Sequence, residues 1–376
     1  MSLSPGQRGS GLYGALCQVA ARHADAVALS GSGGRSWTYA QLLAGLERIA
    51  ANLRGSGVQP GDRVVVVAPS GPEGALAVLA AACCCSAAPL PAGLAVPALA
   101  ERIRRLAPRL LIVPDGRDAA AAAATAAAAC GVPIVMAPAS ASPSPQEIPS
   151  LQDSGAWGLA ADTALALTTS GTTAEPRLVP LSHANLLAAA DSIRAVLQLA
   201  PEDRCLDPMP LAHIHGLSLV IASLLSGSRL HLPDTFAQES FLGAWQQLQP
   251  TWYSAAPAMH ALIADWLEQR PDLLSRSSLR FVRSASGPMP RALLERLEHL
   301  LDVPPIEAYG MTEAAPQISS NRLPPHPRKP GSVGQAAGPE IAILDGEGQP
   351  LPPGVTGEVA IRGANVMAGY LEDPEA

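Results

Sequence analysis

Leu167-Thr168-Thr169-Ser170-Gly171-Thr172-Thr173-Ala174-Glu175-Pro176-Arg177 sets five hydroxyl side chains, a glycine and a cation immediately after an apolar run. Hydroxyls and backbone N–H groups donate to anionic oxygens from several directions, glycine admits a close approach of the main chain, and arginine supplies compensating charge. The stretch therefore reads as a phosphate-handling loop leaving the end of a strand. Ser/Thr-rich connections between strands are common, so the loop needs support from elsewhere in the chain. The competing phosphate motif is Gly-x-x-x-x-Gly-Lys-Ser/Thr at a helix N-terminus. Neither Gly-Lys-Ser nor Gly-Lys-Thr occurs, which disfavours a P-loop kinase or ATPase.

Upstream of this loop, apolar runs alternate between strand and helix periods. The pattern predicts a helix over 37–54, a turn at Gly61-Asp62 feeding a strand over 63–67, a buried helix, and strands over 87–90, 110–113 and 133–136. That alternation is the pattern of an α/β lobe with a largely parallel sheet. Positions 119–130 are alanine broken only by Thr125 and Cys130, a strong helix signal with little side-chain information. A Pro/Ser-rich stretch over 137–149 reads as a linker. Downstream, helices are expected over 185–199, 217–225, 241–248, 257–266 and 291–300, with strands over 229–232, 252–254 and 279–283. Past Pro330, short alternating runs at 340–344 and 358–362 between glycine- and proline-rich turns suggest a small antiparallel β unit. The organisation expected is a first α/β lobe over 1–160, a second over 161–330 carrying the phosphate loop, and a β subdomain over 331–376.

The chain has 376 residues and a net charge of −7, and no basic cluster stands beside aromatics, so nucleic acid is not an expected partner. The six cysteines include the run Cys83-Cys84-Cys85 but no Cys-x-x-Cys pair, so they read as small buried side chains in a reduced, cytoplasmic protein. The longest apolar run, 75–88, is too short to span a bilayer and ends in Pro89 and Pro91. Positions 1–11 are polar and lack the apolar core of a secretion signal, so neither a membrane nor export is expected.

Tyr309-Gly310-Met311-Thr312-Glu313 is the second motif with legible chemistry. An aromatic face can stack on a purine, a hydroxyl can bind a phosphate, and a carboxylate can hold a Mg²⁺ that neutralises phosphate charge. Five further segments join it: Pro210-Leu211-Ala212-His213-Ile214-His215-Gly216, Ser284-Ala285-Ser286-Gly287-Pro288-Met289, Lys329-Pro330-Gly331-Ser332-Val333-Gly334, Gly357-Glu358-Val359-Ala360-Ile361-Arg362-Gly363 and Gly369-Tyr370. In this order and spacing the chain, from about Trp37 onward, resembles the adenylate-forming superfamily of acyl-CoA synthetases, peptide-synthetase adenylation domains and luciferases. Two positions depart from the family loop, Ala174 where glycine is usual and Arg177 where lysine is usual. Alanine costs the loop some freedom, and arginine keeps the charge as a planar fork.

The resemblance implies two packed α/β lobes with mostly parallel sheets plus a small distorted antiparallel β-barrel. It implies ATP and Mg²⁺ as cofactors, a carboxylic acid as substrate, and CoA or a carrier-protein thiol as acceptor in a second half-reaction. It implies that Thr169, Ser170, Gly171, Thr172 and Thr173 wrap the β- and γ-phosphates with Arg177 nearby, and that Tyr309 stacks on adenine bordered by Ser286, Gly287, Glu307 and Ala308. Thr312 would bind the α-phosphate, Glu313 would hold the Mg²⁺, and His213 would orient beside the acyl carboxylate. The acyl pocket would be walled by Ala212, His213, His215, Tyr253, Ala255, Ala256, Ser284, Gly310 and Met311. A lone histidine is by default a satisfied packing residue; the Pro-Leu and Gly flanks favour the pocket for His213 and leave His215 open between the two readings.

Similar enzymes continue past a segment like Gly369-Tyr370 into a Thr-Gly-Asp segment, a hinge and a small C-terminal lid domain bearing the adenylation lysine. These are not present up to Ala376, and Glu372-Asp373-Pro374-Glu375-Ala376 reads as a segment interrupted rather than finished. Without the lid, thioester formation is expected to be impaired. A lidless adenylate binder working with a partner ligase or an acyl-carrier protein is the reading from a different class.

The segments 252–260, 213–215 and 313–331 look like the oxalyl-CoA synthetase branch. Ala212 and Pro316 stand where that branch usually has an aromatic and a histidine. A missing ring leaves space, and a missing polar group weakens the case for a dianion. These two positions lean the reading towards a bulky apolar acid of specialised metabolism, such as antibiotic biosynthesis, with oxalate or another short acid as the alternative.

Overall fold

The computed structural model describes residues 11–114, 117–137, 163–169 and 177–371. After α1 (Leu12–His23), β1 (Val27–Gly31) and β2 (Ser36–Thr38) form an antiparallel pair. Thr38 then closes a capping box: its hydroxyl accepts from the Gln41 N–H at 3.2 Å, and Gln41 Oε1 accepts from the Thr38 N–H at 2.9 Å. Trp37 therefore lies in a strand, and the helix expected from position 37 is α2, Tyr39–Gly55.

The expected alternation follows as β3 (Arg63–Ala68), α3 (Pro72–Cys84), β4 (Ser86–Pro91), α4 (Val96–Leu106), β5 (Leu110–Pro114), α5 (Arg117–Cys130) and β6 (Ile134–Ala137). β7 (Thr163–Thr168) and β8 (Leu178–Ser182), on either side of the phosphate-loop stretch, complete a sheet in the order β6-β5-β3-β4-β7-β8. All its pairs are parallel except β7 with β8. The chain continues through α6 (His183–Leu197), β9 (Arg204–Leu206), α7 (Ile214–Leu225), β10 (Arg229–Leu232) and α8 (Gln238–Leu248). Next come β11 (Trp252–Ala255), α9 (Pro257–Glu268), α10 (Pro271–Leu274), β12 (Phe281–Ser284), α11 (Arg291–Leu301), β13 (Pro305–Gly310), β14 (Gln317–Ser320) and β15 (Gln335–Ala336). These strands join a second sheet, β15-β14-β13-β12-β11-β9-β10-β1-β2. Each sheet thus borrows strands from across position 160: β1 and β2 enter the second, and β7 and β8 enter the first.

Between the sheets lies the main core, to which the inward residues Val64, Val66, Leu230, Trp252 and Phe281 contribute. α3 and α7 run through this layer, which is why almost every residue of both is buried and neither shows a polar stripe. Cys83, Cys84 and Cys85 are buried free thiols there, as their composition suggested. The outward residues of the same strands alternate with the inward ones. Val65 and Val67 pack under α4 and α5, and Tyr253 and Val282 under α8, α9 and α11.

The expected barrel is not formed. β16 (Glu340–Leu344) and β17 (Glu358–Arg362) make a two-stranded antiparallel sheet, and the described residues contain no closed barrel. Closure needs more strands, but the intervening 345–357 holds Pro350, Pro352 and Pro353, which lack ladder donors, while β15 pairs with β14 instead. No helix among the described residues is long and apolar enough to cross a membrane.

Candidate active site

In register, Ala255 of β11 lies beside Ser284 of β12, which lies beside Glu307 of β13, so β11 and β12 end level while β13 runs on to Gly310. Ligands of open α/β sheets bind beyond such carboxyl ends. At the end of β13 the chain exposes Tyr309 (37 %), then Met311 (39 %), makes one tight turn over Thr312–Ala314, and returns as β14. Gly310 is required here because a Cβ would lie 2.0 Å from the Pro316 carbonyl oxygen, the atom that accepts from the Met311 N–H at 3.1 Å.

Glu313 is held from the far end of the chain. Its Oε1 accepts from the Tyr370 hydroxyl at 2.8 Å and its carbonyl from the Met367 N–H at 2.9 Å. The Arg177 guanidinium lies over the Tyr370 ring, 4.8 Å from its centroid. Arg177 and Thr169 pair reciprocally: the Arg177 N–H donates to Thr169 Oγ1 at 3.1 Å, and the Thr169 N–H to the Arg177 carbonyl at 2.9 Å. Both ends of the phosphate-loop stretch are thereby tied beside Glu313. Ser170, Gly171, Thr172 and Thr173 lie outside the described residues. Buried Asn365 fastens the segment that carries Tyr370, donating to the carbonyls of Ala314 at 2.8 Å and Gln317 at 2.7 Å.

A second group of polar residues sits below the ends of β11 and β12. His215 (4 % exposed) is in the first turn of α7; its Nδ1 is 2.9 Å from Ser286 Oγ and its Nε2 is 2.8 Å from Ser254 Oγ. Arg283 (2 % exposed) places Nη1 3.3 Å from both His215 Nε2 and Ser254 Oγ, and donates from Nη2 to Gln317 Oε1 at 3.0 Å. No carboxylate forms an ion pair with Arg283 among the described residues. Burial pushes its guanidinium down to about 10. Burial, followed by the nearby Arg283 charge, holds His215 well below the ordinary histidine range, so the ring is neutral.

The expected acyl wall divides by strand parity. Ser254 and Arg283 face the inter-sheet layer and His215. Tyr253 and Ala255 face the outer core, where the Tyr253 hydroxyl lies 3.1 Å from His260 Nδ1 and its ring packs edge-on against Phe241 and Trp245; Ser284 is buried on that same side as Val282. Tyr253, Ala255 and Ser284 thus belong to the sheet's other face. Ala212 is half-buried and Ala256 likewise, while His213 caps the N-terminus of α7 with an exposed side chain. Ser286, at φ 69°, and Gly287 lie exposed at the end of β12. Glu307 is committed to structure: its carboxylate accepts from the Gly331 N–H at 2.9 Å and its carbonyl from the Asn321 N–H at 2.9 Å. Ala308 is buried beside it. Ser254, Arg283, Gln317 and the function of Tyr370 escaped the sequence reading. Arg283, a charge inside Phe-Val-Arg-Ser, was the one visible signal.

Residues 16–371 match the model of the AMP-binding enzyme family. An oxalate–CoA ligase of Arabidopsis thaliana is 36 % identical over 379 residues, covering 97 % of this chain and 73 % of the relative. A feruloyl-CoA synthase of an Amycolatopsis species is 33 % identical over 381 residues, covering 94 % of this chain and 70 % of its own. Among solved structures, VinN superposes with a TM-score of 0.82 at 28 % identity over 98 % of this chain and 91 % of VinN, and is also known in complex with L-aspartate. The first two are named as enzymes that join an acid to CoA, and the likeness to all three spans both sheets and the residues gathered at their edge. The chain belongs to the AMP-binding enzyme family.

Proposed function

We propose that the protein condenses a short, polar carboxylic acid with ATP to give an acyl-adenylate and pyrophosphate, the first half-reaction of an acyl-CoA synthetase. The observation that carries the choice of acid is the site-facing side of β11 and β12. It presents Ser254 and Arg283 to His215 of α7 where an apolar chamber needs hydrocarbon, and Tyr253, expected in the acyl wall, packs on the opposite face. The oxalate ligase among the relatives and the L-aspartate bound by VinN point the same way.

The donor set fits Mg-ATP. Mg²⁺ takes one or two protein carboxylates and completes its shell with water and substrate phosphates. Glu313 is such a single carboxylate, joined through Tyr370 to Arg177 and Thr169. Bound Mg-ATP supplies an electrophilic α-phosphorus whose developing charge the metal neutralises. The chain's own residues do the positioning: Tyr309 offers an exposed face for adenine beside Gly287 and Ala308, Thr312 donates to the α-phosphate, and Arg177 balances the phosphate charge. His213 lies at the mouth to orient the acid's carboxylate, whose oxygen attacks in line while pyrophosphate departs.

Pyrophosphate exchange by the full-length protein tests the acid. With oxalate, glycolate and aspartate set against benzoate, cinnamate and cyclohexanecarboxylate, the best short polar acid is expected to exceed the best bulky one in kcat/KM by roughly tenfold or more. A bulky acid in the lead overturns this reading.

Tyr370 gives a separate test of the metal site. Tyr370→Phe removes the hydroxyl that holds Glu313 and keeps the ring beneath Arg177, whereas Tyr370→Leu removes both. The Phe variant is expected to raise the Mg²⁺ concentration for half-maximal exchange by about 10-fold, the lower end for losing a group that orients a metal ligand, with the Leu variant worse. An unchanged Mg²⁺ requirement in Tyr370→Phe shows that the hydroxyl does not prepare Glu313.

A further inference from the structure

We propose that Arg283 is a positioning residue for acid recognition: it fixes which nitrogen of His215 carries the proton, and so turns the Ser286 hydroxyl outward as a donor to a second polar group on the substrate. The inference rests on the short polar acid proposed above.

The argument is one of donors and acceptors. A guanidinium donates and cannot accept. Arg283 Nη1 points at both Ser254 Oγ and His215 Nε2, each 3.3 Å away, and these two atoms are 2.8 Å from one another. If Nε2 carried the hydrogen, Ser254 Oγ would accept from the ring and from Arg283, its own hydrogen would find no other partner among the described residues, and the Arg283 and ring hydrogens would face each other. With Nε2 bare, each contact among Arg283, Ser254 and His215 pairs one donor with one acceptor, and Arg283 Nε alone of this group is left without a hydrogen-bond partner among the described residues. Arg283 donates from Nη1 to Ser254, Ser254 donates to Nε2, and Gln317 Oε1 accepts from Arg283 Nη2 at 3.0 Å. The neutral ring then holds its hydrogen on Nδ1, 2.9 Å from Ser286 Oγ. Ser286 must accept there, which leaves its hydroxyl hydrogen free. Ser286 is exposed at the end of β12, on a backbone turned to φ 69°, so that hydrogen is offered to the cleft. A buried cation with no carboxylate partner thus expresses itself at the surface as one oriented donor, suited to the second carboxylate or hydroxyl of a short acid.

Loss of Arg283 frees the tautomer. With Nε2 protonated, Ser286 donates inward to Nδ1 and the cleft loses its donor. Protonating the ring restores the Nδ1 hydrogen and the outward hydroxyl. The charged and titratable groups facing the ring are Arg283 from β12, His260 from α9 and His213 at the start of its own helix.

The test is the KM for the acid against pH in the full-length protein. Wild type is expected to be flat from pH 8 to pH 6. Arg283→Met is expected to raise KM about tenfold at pH 8, the size of one hydrogen bond to a charged acceptor, with kcat little changed. It should recover only as pH falls far enough to protonate the ring, which burial still holds below the ordinary histidine range. Arg283→Lys keeps a donor and should stay close to wild type. An Arg283→Met variant whose neutral His215 still carries its proton on Nδ1 by ¹⁵N-histidine NMR, or a loss in kcat alone, marks a merely structural role and overturns the proposal. Should that variant not fold, ¹⁵N-histidine NMR of the wild-type protein decides the matter: Nδ1 protonated supports the relay, and Nε2 protonated ends it. Ser286→Ala separates the two readings. If it leaves the KM of every acid unchanged, the polar acid subsite itself is wrong. If it raises KM while the neutral His215 of Arg283→Met keeps its proton on Nδ1, only the relay fails.

Discussion

Glu313→Gln is expected to lower Mg²⁺-dependent pyrophosphate exchange by about 100-fold or more, beyond the range seen when only a supporting partner of a metal ligand is removed. The substitution is nearly isosteric, and the amide oxygen can still accept from the Tyr370 hydroxyl that Glu313 Oε1 accepts from at 2.8 Å. Packing and chain path should therefore survive. What changes is charge: a neutral amide cannot offset the cation that bridges the phosphates. The thermal unfolding midpoint should move little, as for other substitutions that leave packing intact, within about 0.5 kcal/mol. Full exchange activity in this variant would falsify the metal assignment. A large loss of stability with proportionate loss of activity would show that Glu313 is chiefly a fastener for Tyr370 and Met367.

Gly310→Ala is expected to cost stability as well as nucleotide binding. Its Cβ would meet the Pro316 carbonyl oxygen at 2.0 Å and the carbonyl carbon at 2.8 Å. Both atoms are backbone, so no side chain can swing aside, and β13 must separate from β14 locally. Overpacking of this kind costs about 1–3 kcal/mol, occasionally more. The Met311 N–H bond to the same oxygen goes with it, and Tyr309 and Glu313 on either side shift. Gly93→Ala is the control: its Cβ would enter open space, so it should be neutral or stabilising by up to about 1 kcal/mol. Thermal unfolding of the two variants beside wild type checks both; equal midpoints would mean the turn after β13 is looser than its contacts require.

The motif at 309–313 was legible because its chemistry is local. One aromatic, one hydroxyl and one carboxylate lie within five positions, and the fold adds only the turn that presents them. The alternation of strands and helices was legible for the same reason. Two things were not. Side-chain direction in a strand reverses with every residue, so a local pattern does not say that Tyr253, Ala255 and Ser284 share the outer face of β11 and β12 while their neighbours Ser254 and Arg283 stand beside His215. Long-range pairing leaves no trace in a local pattern either. Nothing in 27–38 announces a place beside β10, and nothing in 178–182 announces an edge of the first sheet. Tyr370 was quoted for its likeness to known sequences, and its purpose became visible only through its hydroxyl on Glu313, 57 positions earlier.

The placement of β1 has a consequence for how the protein is made. Ser30 Oγ donates to the Leu230 carbonyl across 200 residues, and β1 has no parallel neighbour until β10 exists. At roughly 5–20 residues per second of synthesis, β1 waits on the order of 10–40 s after leaving the ribosome. During that wait β2 can cover one of its edges, and the other is bare, carrying Leu29 and Ala28, which end wholly buried. A nascent chain in this state is open to pairing with its neighbours on the same message. Yield on overexpression should therefore depend on translation speed and on chaperones that hold extended segments, even where the finished protein is stable.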